Sequence, residues 1–421
     1  MSIEKKVPEI RFKGFSGEWK KQELNNVVEF FSGLTYSPND VRKTGTLVLR
    51  SSNVKNGQLQ LADNVYVNPE VVNCNNVIKG DVIVVVRNGS RSLIGKHAQV
   101  TSCMDNTVIG AFMTGIRSKE AKFINALLDT NKFNAEVEKN LGATINQITT
   151  GSFKKMRFAF PVDIEQTVIG NYFQKLDILI NQYQQKHDKL SNIKKAMLEK
   201  MFPKQGETTP EIRFKGFNGK WEEVLFGACF VNVSNNTLSR AELNYNTGLA
   251  KNIHYGDILI KFGEILDAHH ELLPFINNHD VVNKLNNAAL RDGDIIIADA
   301  AEDSTVGKCT ELFNIGEQLI LSGLHTIAVR PTLSFASKYL GYYLNSRSYH
   351  DQLLPLMQGT KVLSISKAAI QNTSITFPKS SEEQAAIGNY FQKLDALINQ
   401  HQQQITKLNN IKQACLSKMF V

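Results

Sequence analysis

The sequence predicts two α/β (α+β) domains, separated by two long helices that form a coiled coil. Two duplications and one periodicity carry this prediction. Residues 167–203 and 385–421 are identical at 25 of 37 aligned positions, so the chain contains an internal repeat. A second repeat opens each half: PEIRFKGFSGEW from Pro8 returns as PEIRFKGFNGKW from Pro210. Within the long repeat, apolar positions alternate in steps of four and three. They run through Ile169, Phe173, Leu176, Ile180, Tyr183, His187, Leu190, Lys194, Met197 and Met201. The second copy matches with Ile387, Phe391, Leu394, Ile398, His401, Ile405, Leu408, Lys412, Cys415 and Met419. That spacing is a heptad seam, and a helix with so narrow an apolar stripe must pair to be stable.

Taken in order, residues 1–162 form the first domain. Arg11-Phe12-Lys13 alternates polar and apolar and reads as a strand or extended segment, with Phe12, Phe15 and Trp19 packed and Arg11 and Lys13 in water. This opening motif reads as a structural clamp, with phosphate contact as the alternative. VYV at 65–67, GDVIVVVR at 80–87 and FMTGI at 112–116 read as strands, and the unbroken apolar run Val82–Val86 as a buried one. Residues 121–140 have helical spacing. Residues 163–202 are the first long helix, with Asp163 and Gln166 at capping-box spacing and Glu165 at the positive end of the helix dipole. Residues 203–209 are a polar linker.

The second domain, 210–379, repeats this order. GDILI at 256–260, GDIIIAD at 293–299 and HTIAVRP at 325–331 read as strands, and 337–357 as helical. Gly142-Ala143-Thr144 aligns with Gly359-Thr360-Lys361 in the segment that closes each domain. The second long helix, 380–421, opens with Ser381 and Gln384 at capping-box spacing. Each helix of some 35 residues measures roughly 52 Å.

The chain of 421 residues carries a formal charge of +8, which favours a polyanionic partner. Its five cysteines are scattered and never spaced CxxC, which points to a reducing cytosol with no disulfide framework and no zinc site. The start, MSIEKKVPEIRF, lacks the apolar core of a signal peptide, and no run reaches membrane-spanning length. The expected location is the cytoplasm. Catalytic signatures are missing. Residues 89–97 (GSRSLIGKH) have five residues between their glycines where a phosphate-binding loop has four, and His97 stands where the magnesium-binding hydroxyl belongs. Asp294, Asp299 and Glu302 suggest a nuclease cluster, but the lysine that completes such a site is absent at the matching spacing. His269 and His270 are adjacent and read as structural or surface residues. His187, Lys194 and Lys412 interrupt the seam as register or docking residues.

The ordered double set is recognisable. Each half opens with PEIRFKGFxGxW, contains a GD strand followed by a polar loop and (I/V)GK, and closes with Pro161 or Pro378 just before its helix. Over essentially the whole chain this resembles the specificity subunit of type I restriction–modification enzymes. The resemblance implies that each variable domain is a target-recognition domain reading one half of a bipartite double-stranded DNA site. It implies that the helices form an antiparallel coiled coil with the two domains in a pseudo-twofold arrangement, that they set the spacing and dock two methyltransferase subunits, and that two motor-endonuclease subunits complete the enzyme. It implies a subunit with no catalytic residues, S-adenosylmethionine, ATP and magnesium being bound by the partners. Asp303-Ser304-Thr305 departs from the Asn88-Gly89-Ser90 type of loop.

Bases are read mainly in the major groove by Arg, Lys, Asn and Gln, and loops on a rigid scaffold can supply them. In the first domain the candidates are Arg87, Asn88, Ser90, Arg91 and Lys96 after the buried strand, with Asn146 and Gln147 in the closing loop. Lys154 and Lys155 are candidate phosphate contacts. The second-domain counterparts are Asp303, Ser304, Lys308, Lys361, Ser364 and Ser366. Beside the seam, Leu179, Leu198, Leu397 and Leu416 are expected to face partner helices. The competing class is a non-catalytic coiled-coil adaptor whose two domains bind proteins; it leaves the basic charge and the divergent polar loops unexplained.

Overall fold

The computed structural model describes residues 6–142 and 145–421. Ala143 and Thr144 of the closing-segment alignment, and residues 1–5 of the start, lie outside the described residues. Two compact units divide the chain: Met1–Gln185 with Gln402–Val421, and Lys186–His401. Each long helix therefore belongs partly to both.

In the first unit, an antiparallel sheet runs in the order Glu29–Ser32, Met113–Arg117, Val82–Val85, His97–Gln99. All four residues of its central strand Val82–Val85 are buried, as the apolar run requires. A second sheet, Thr107–Ile109, Thr46–Leu49, Val65–Val67, Val41–Arg42, contains one parallel pair. A third pairing, Lys20–Glu23 with Arg157–Phe160, joins the beginning of the domain to its end.

The second unit repeats this plan. Phe230–Val233, Thr326–Pro331, Ile295–Ala298 and Cys309–Phe313 form the equivalent sheet, extended by a fifth strand, Ile265–Asp267. Glu222–Leu225 pairs with Ser374–Phe377 to close the domain.

Four local expectations change. Residues 121–140 form two helices, Ala121–Leu128 and Asn131–Asn140, because the Thr130 hydroxyl accepts from Phe133 N–H and donates to Leu127 C=O. Residues 337–357 break likewise into Tyr339–Leu344 and Arg347–Leu353, with the Ser346 hydroxyl donating to Tyr343 C=O. GDILI is the helix Tyr255–Ile260 and not a strand. His254 accepts from Gly256 N–H at its start, and Arg240 forks onto Asp257; a short apolar run does not by itself distinguish the two structures. Arg11-Phe12-Lys13 is irregular and enters a turn at Lys13-Gly14.

The long helices are Asp163–Lys200 and Ser381–Met419. The capping boxes do not form, since both expected caps already lie inside their helices. Gln166 and Gln384 instead donate to the carbonyls of Pro161 and Pro378, and Ser380 accepts from Glu383 N–H. Within each unit the helices run antiparallel. In the first, Tyr172 meets Cys415 and Asp177 meets Lys412; in the second, Lys194 meets Asp395 and Phe202 stacks on Phe391.

The helix C-termini plug the cores. Leu416, Met419 and Phe420 enter the first unit's core among Trp19, Phe123 and Phe173. Met201 and Phe202 do the same in the second among Trp221, Tyr339 and Phe391. Gly170 lets the first long helix approach the backbone of Ala121–Leu128: a Cβ there would lie 2.6 Å from Phe123 N.

Candidate nucleic-acid interface

The opening motif is a clamp. Arg11 donates from Nε and Nη2 to both carboxylate oxygens of Glu165, each at 2.7 Å, and also to the carbonyls of Ser16 and Gly17. Arg213 repeats this on Glu383, Asn218 and Gly219. Glu165 is 0% exposed and Arg11 14%, so Arg11 does not stay wet. A strand fork recurs as well: Asp81 with Arg117, and Asp294 with Arg330. Asp294 is thus engaged by Arg330, and Asp299 by His325, so two of the three suspected nuclease carboxylates have separate structural partners.

From this frame the first polar loop projects. Arg87 and Gln147 pair across an antiparallel bridge, Ile148 N–H donates to Val86 C=O, and Asn146 donates its amide to Gly89 C=O. The structure thus brings together the two loop segments named from sequence, 57 residues apart at Gly89 and Asn146. Members of the set divide by duty. Asn88 caps Ser90 N–H and holds Ser51. Ser90 meets Ser92. Arg91 is neutralised by Glu138. Arg87 is exposed, its guanidinium over the Phe112 ring at 4.9 Å from the centroid. Lys96 is exposed, and Lys154 and Lys155 are exposed at the end of the helix Thr150–Lys154.

In the second unit Ala300–Ala301 pairs with Leu363–Ser364, and Ile365 N–H donates to Asp299 C=O, so the same closure recurs. Asp303 accepts from the backbone and hydroxyl of Thr305, which keeps its carboxyl below the usual range. Ser304, Lys361 and Ser364 are exposed, and Ser366 caps the helix Lys367–Gln371. Lys308 is the correction: its ammonium donates to Leu259 C=O at 3.0 Å and is half-buried, which pushes its pKa down. It is a structural residue.

On the helices, Ile169, Phe173, Leu176, Ile387, Phe391 and Leu394 are buried, while Ile180, Leu190, Ile398 and Leu408 are half-buried. Leu179 is 42% and Leu397 36% exposed. Leu416 is only 3% exposed within the first core, and Leu198 packs against the second. Leu416 is therefore covered by the plug at its helix end, while Leu198 is half-buried.

The seam lysines hold ion triads. Lys412 lies 2.7 Å from Asp129 and 2.6 Å from Asp177; Lys194 lies 2.8 Å from Glu264 and 2.7 Å from Asp395. Burial opposes each ammonium, but the carboxylates hold both lysines above the ordinary range. Burial likewise raises Asp177 and Asp395. Asp129 resists its burial through His97 and Lys412 and falls to about 2. The His97 Nε2 lies 3.3 Å from the Asp129 carboxylate without making a hydrogen bond to it. His187 sits beside Asp188, half-buried.

The family described as type I restriction modification DNA specificity domain matches residues 16–192 and again 235–410. The chain belongs to the type I restriction–modification specificity family. The chain is similar to the EcoKI specificity subunit of Escherichia coli (strain K12) and the StySPI specificity subunit of Salmonella potsdam. Each is 23% identical, over 96% of this chain and 88% of the relative. The crystal structure of the S subunit of a type I restriction–modification system from M. genitalium shares the fold, with a TM-score of 0.59 at 15% identity over 99% of both chains. As a specificity subunit the chain has two target-recognition domains, each spanning one matched segment. Among its described residues no helix is long and apolar enough to cross a membrane.

Sequence reasoning missed three groups in this specificity subunit. Phe112, the first residue of the predicted strand 112–116, sits just before the strand Met113–Arg117, and His325 holds the same place in the second unit. Asp129 and Glu264, the domain carboxylates of the two triads, lie in stretches with no repeat to align them.

Proposed function

We propose that this specificity subunit reads a bipartite double-stranded DNA target, one half-site per domain, and performs no chemistry itself. The observation that carries this is the loop closure common to both units. On one backbone arrangement, Arg87 to Gln147 and Ala300 to Ser364, the paired residues differ, an exposed arginine in one unit standing where the other has a buried alanine. A fixed presentation with exchanged side chains is what reading two unlike words in the major groove requires. The excess of eight positive charges supplies sequence-independent attraction to phosphates, with Lys154 and Lys155 placed to contribute.

The long helices set the gap between the half-sites and dock two methyltransferase subunits through the exposed Leu179 and Leu397. Two motor-endonuclease subunits complete the restriction enzyme. S-adenosylmethionine, ATP and magnesium belong to those partners, and the complex works in the cytoplasm.

Co-expression with the cognate methyltransferase, followed by methylation-sensitive sequencing of the host, tests this. The expected result is a stable complex that methylates one split sequence. A complex that forms but shows no sequence preference would favour the protein-adaptor reading. Leu179→Glu with Leu397→Glu should abolish complex formation while both units stay folded; normal assembly would move the docking surface elsewhere.

A further inference from the structure

We infer that Arg87 reads a guanine in one half-site and that Phe112 is the positioning residue that holds it; this rests on the half-site reading above. The Arg87 guanidinium lies over the Phe112 ring, an arrangement stabilised by the ring's negative face. The ring spends none of the five N–H donors. Among the described residues no carboxylate or carbonyl takes them either, whereas neighbouring Arg91 and Arg50 are held by Glu138 and Asp63. The backbone beneath is locked. Val86 and Arg87 N–H both donate to Phe112 C=O, at 3.0 and 3.2 Å, while Gln147 bridges Arg87 from the other side. A planar donor fork on a rigid base with its donors unspent matches guanine O6 and N7, the bidentate pair that arginine makes. A phosphate contact needs only charge and would not require the ring.

Register assigns this feature to the first unit alone. Met113 pairs with Val85 and Thr326 with Ala298, so Phe112 corresponds to His325 and Arg87 to Ala300. The same backbone bond recurs, from Asp299 N–H to His325 C=O at 3.1 Å. In place of a cation on a phenyl ring, the second unit carries an imidazole whose Nδ1 lies 3.2 Å from Asp299, edge-on to Tyr255. The second half-site therefore has no arginine-read guanine at the equivalent position.

The test uses the chain in complex with its methyltransferase subunits, methylating a DNA library randomised over both half-sites. Arg87→Ala should reduce discrimination at one guanine of one half-site by roughly 10–100-fold and leave every other position intact. Arg87→Lys should keep affinity but lose much of that discrimination, since lysine has no fork. Phe112→Ala should weaken the same position by a few fold, and Phe112→Trp should restore it. His325→Ala should change only the other half-site. Wild-type discrimination at every guanine in Arg87→Ala would overturn the inference, as would uniform weakening across all sequences with a smaller salt dependence, the mark of a phosphate contact. A wild-type complex that reads no split sequence would sink the half-site reading itself.

Discussion

The two units share some of their parts residue for residue and build others from different residues. Clamp, strand fork and helix plug are copied residue for residue: Arg11–Glu165 and Arg213–Glu383, Asp81–Arg117 and Asp294–Arg330, Phe420 and Phe202. The triads are not. Lys412 and Lys194 are repeat-equivalent, as are Asp177 and Asp395, yet the third member is Asp129 in one unit and Glu264 in the other. In the second unit the corner corresponding to Asp129 is Asn345, committed to Cys309 backbone N–H and C=O. A carboxylate from another element, just before the extra strand, supplies the charge instead. The domain interiors have therefore been free to change provided that something anionic meets the helix lysine.

The clamp should be the costliest part to break. Arg11→Ala or Arg213→Ala strands a buried glutamate, and removing one partner of a buried pair costs about 3–5 kcal/mol. Chemical denaturation should show each variant destabilising its own unit by similar amounts; a large asymmetry would mean that the clamps are not equivalent. The triads come next. Asp129→Asn and Glu264→Gln should each cost about 1–3 kcal/mol, with Asp129→Asn the larger because it also deprives His97 of its partner. A neutral Glu264→Gln would show that the substitute carboxylate is incidental.

The smallest effect separates the units by pH. Register aligns Gln99 with Glu311, and burial pushes Glu311 up to about 7 although Gly341 and Lys338 N–H donate to it. The folded carboxyl keeps a proton that the unfolded chain releases near 4.5, so its contribution is full below that and lost as pH rises towards 7. Asp129 has the opposite sign: its contribution is present above about 3.8 and lost as pH falls towards 2. Glu311→Gln should flatten the stability difference between pH 4.5 and 7 relative to wild type; an unchanged slope would remove Glu311 from it.

The frame was legible because duplication writes it twice: both long helices, the clamp and the buried strands appear in the sequence as repeats or apolar runs. Local breaks were not legible. Thr130 and Ser346 end helices through hydroxyl bonds inside apolar patterns that read as continuous, and GDILI reads as a strand until Arg240 and His254 fix its first turn. The bridge from Arg87 to Gln147 brings together the two candidate loop segments of the first unit. Individual members were less visible. Lys308 turns inward onto a carbonyl contributed by the misread helix, and Phe112 has no polar atom to advertise it.

The most direct test exchanges one interior. Replacing residues 24–156 with residues 226–373 keeps the first unit's clamp and closing strands, whose registers match at these joints, and brings Glu264 to meet Lys412 as it meets Lys194. Sequencing of the DNA methylated by the assembled complex should find the second unit's word in both half-sites. A folded, assembled complex that still methylates two unlike half-sites would contradict the account.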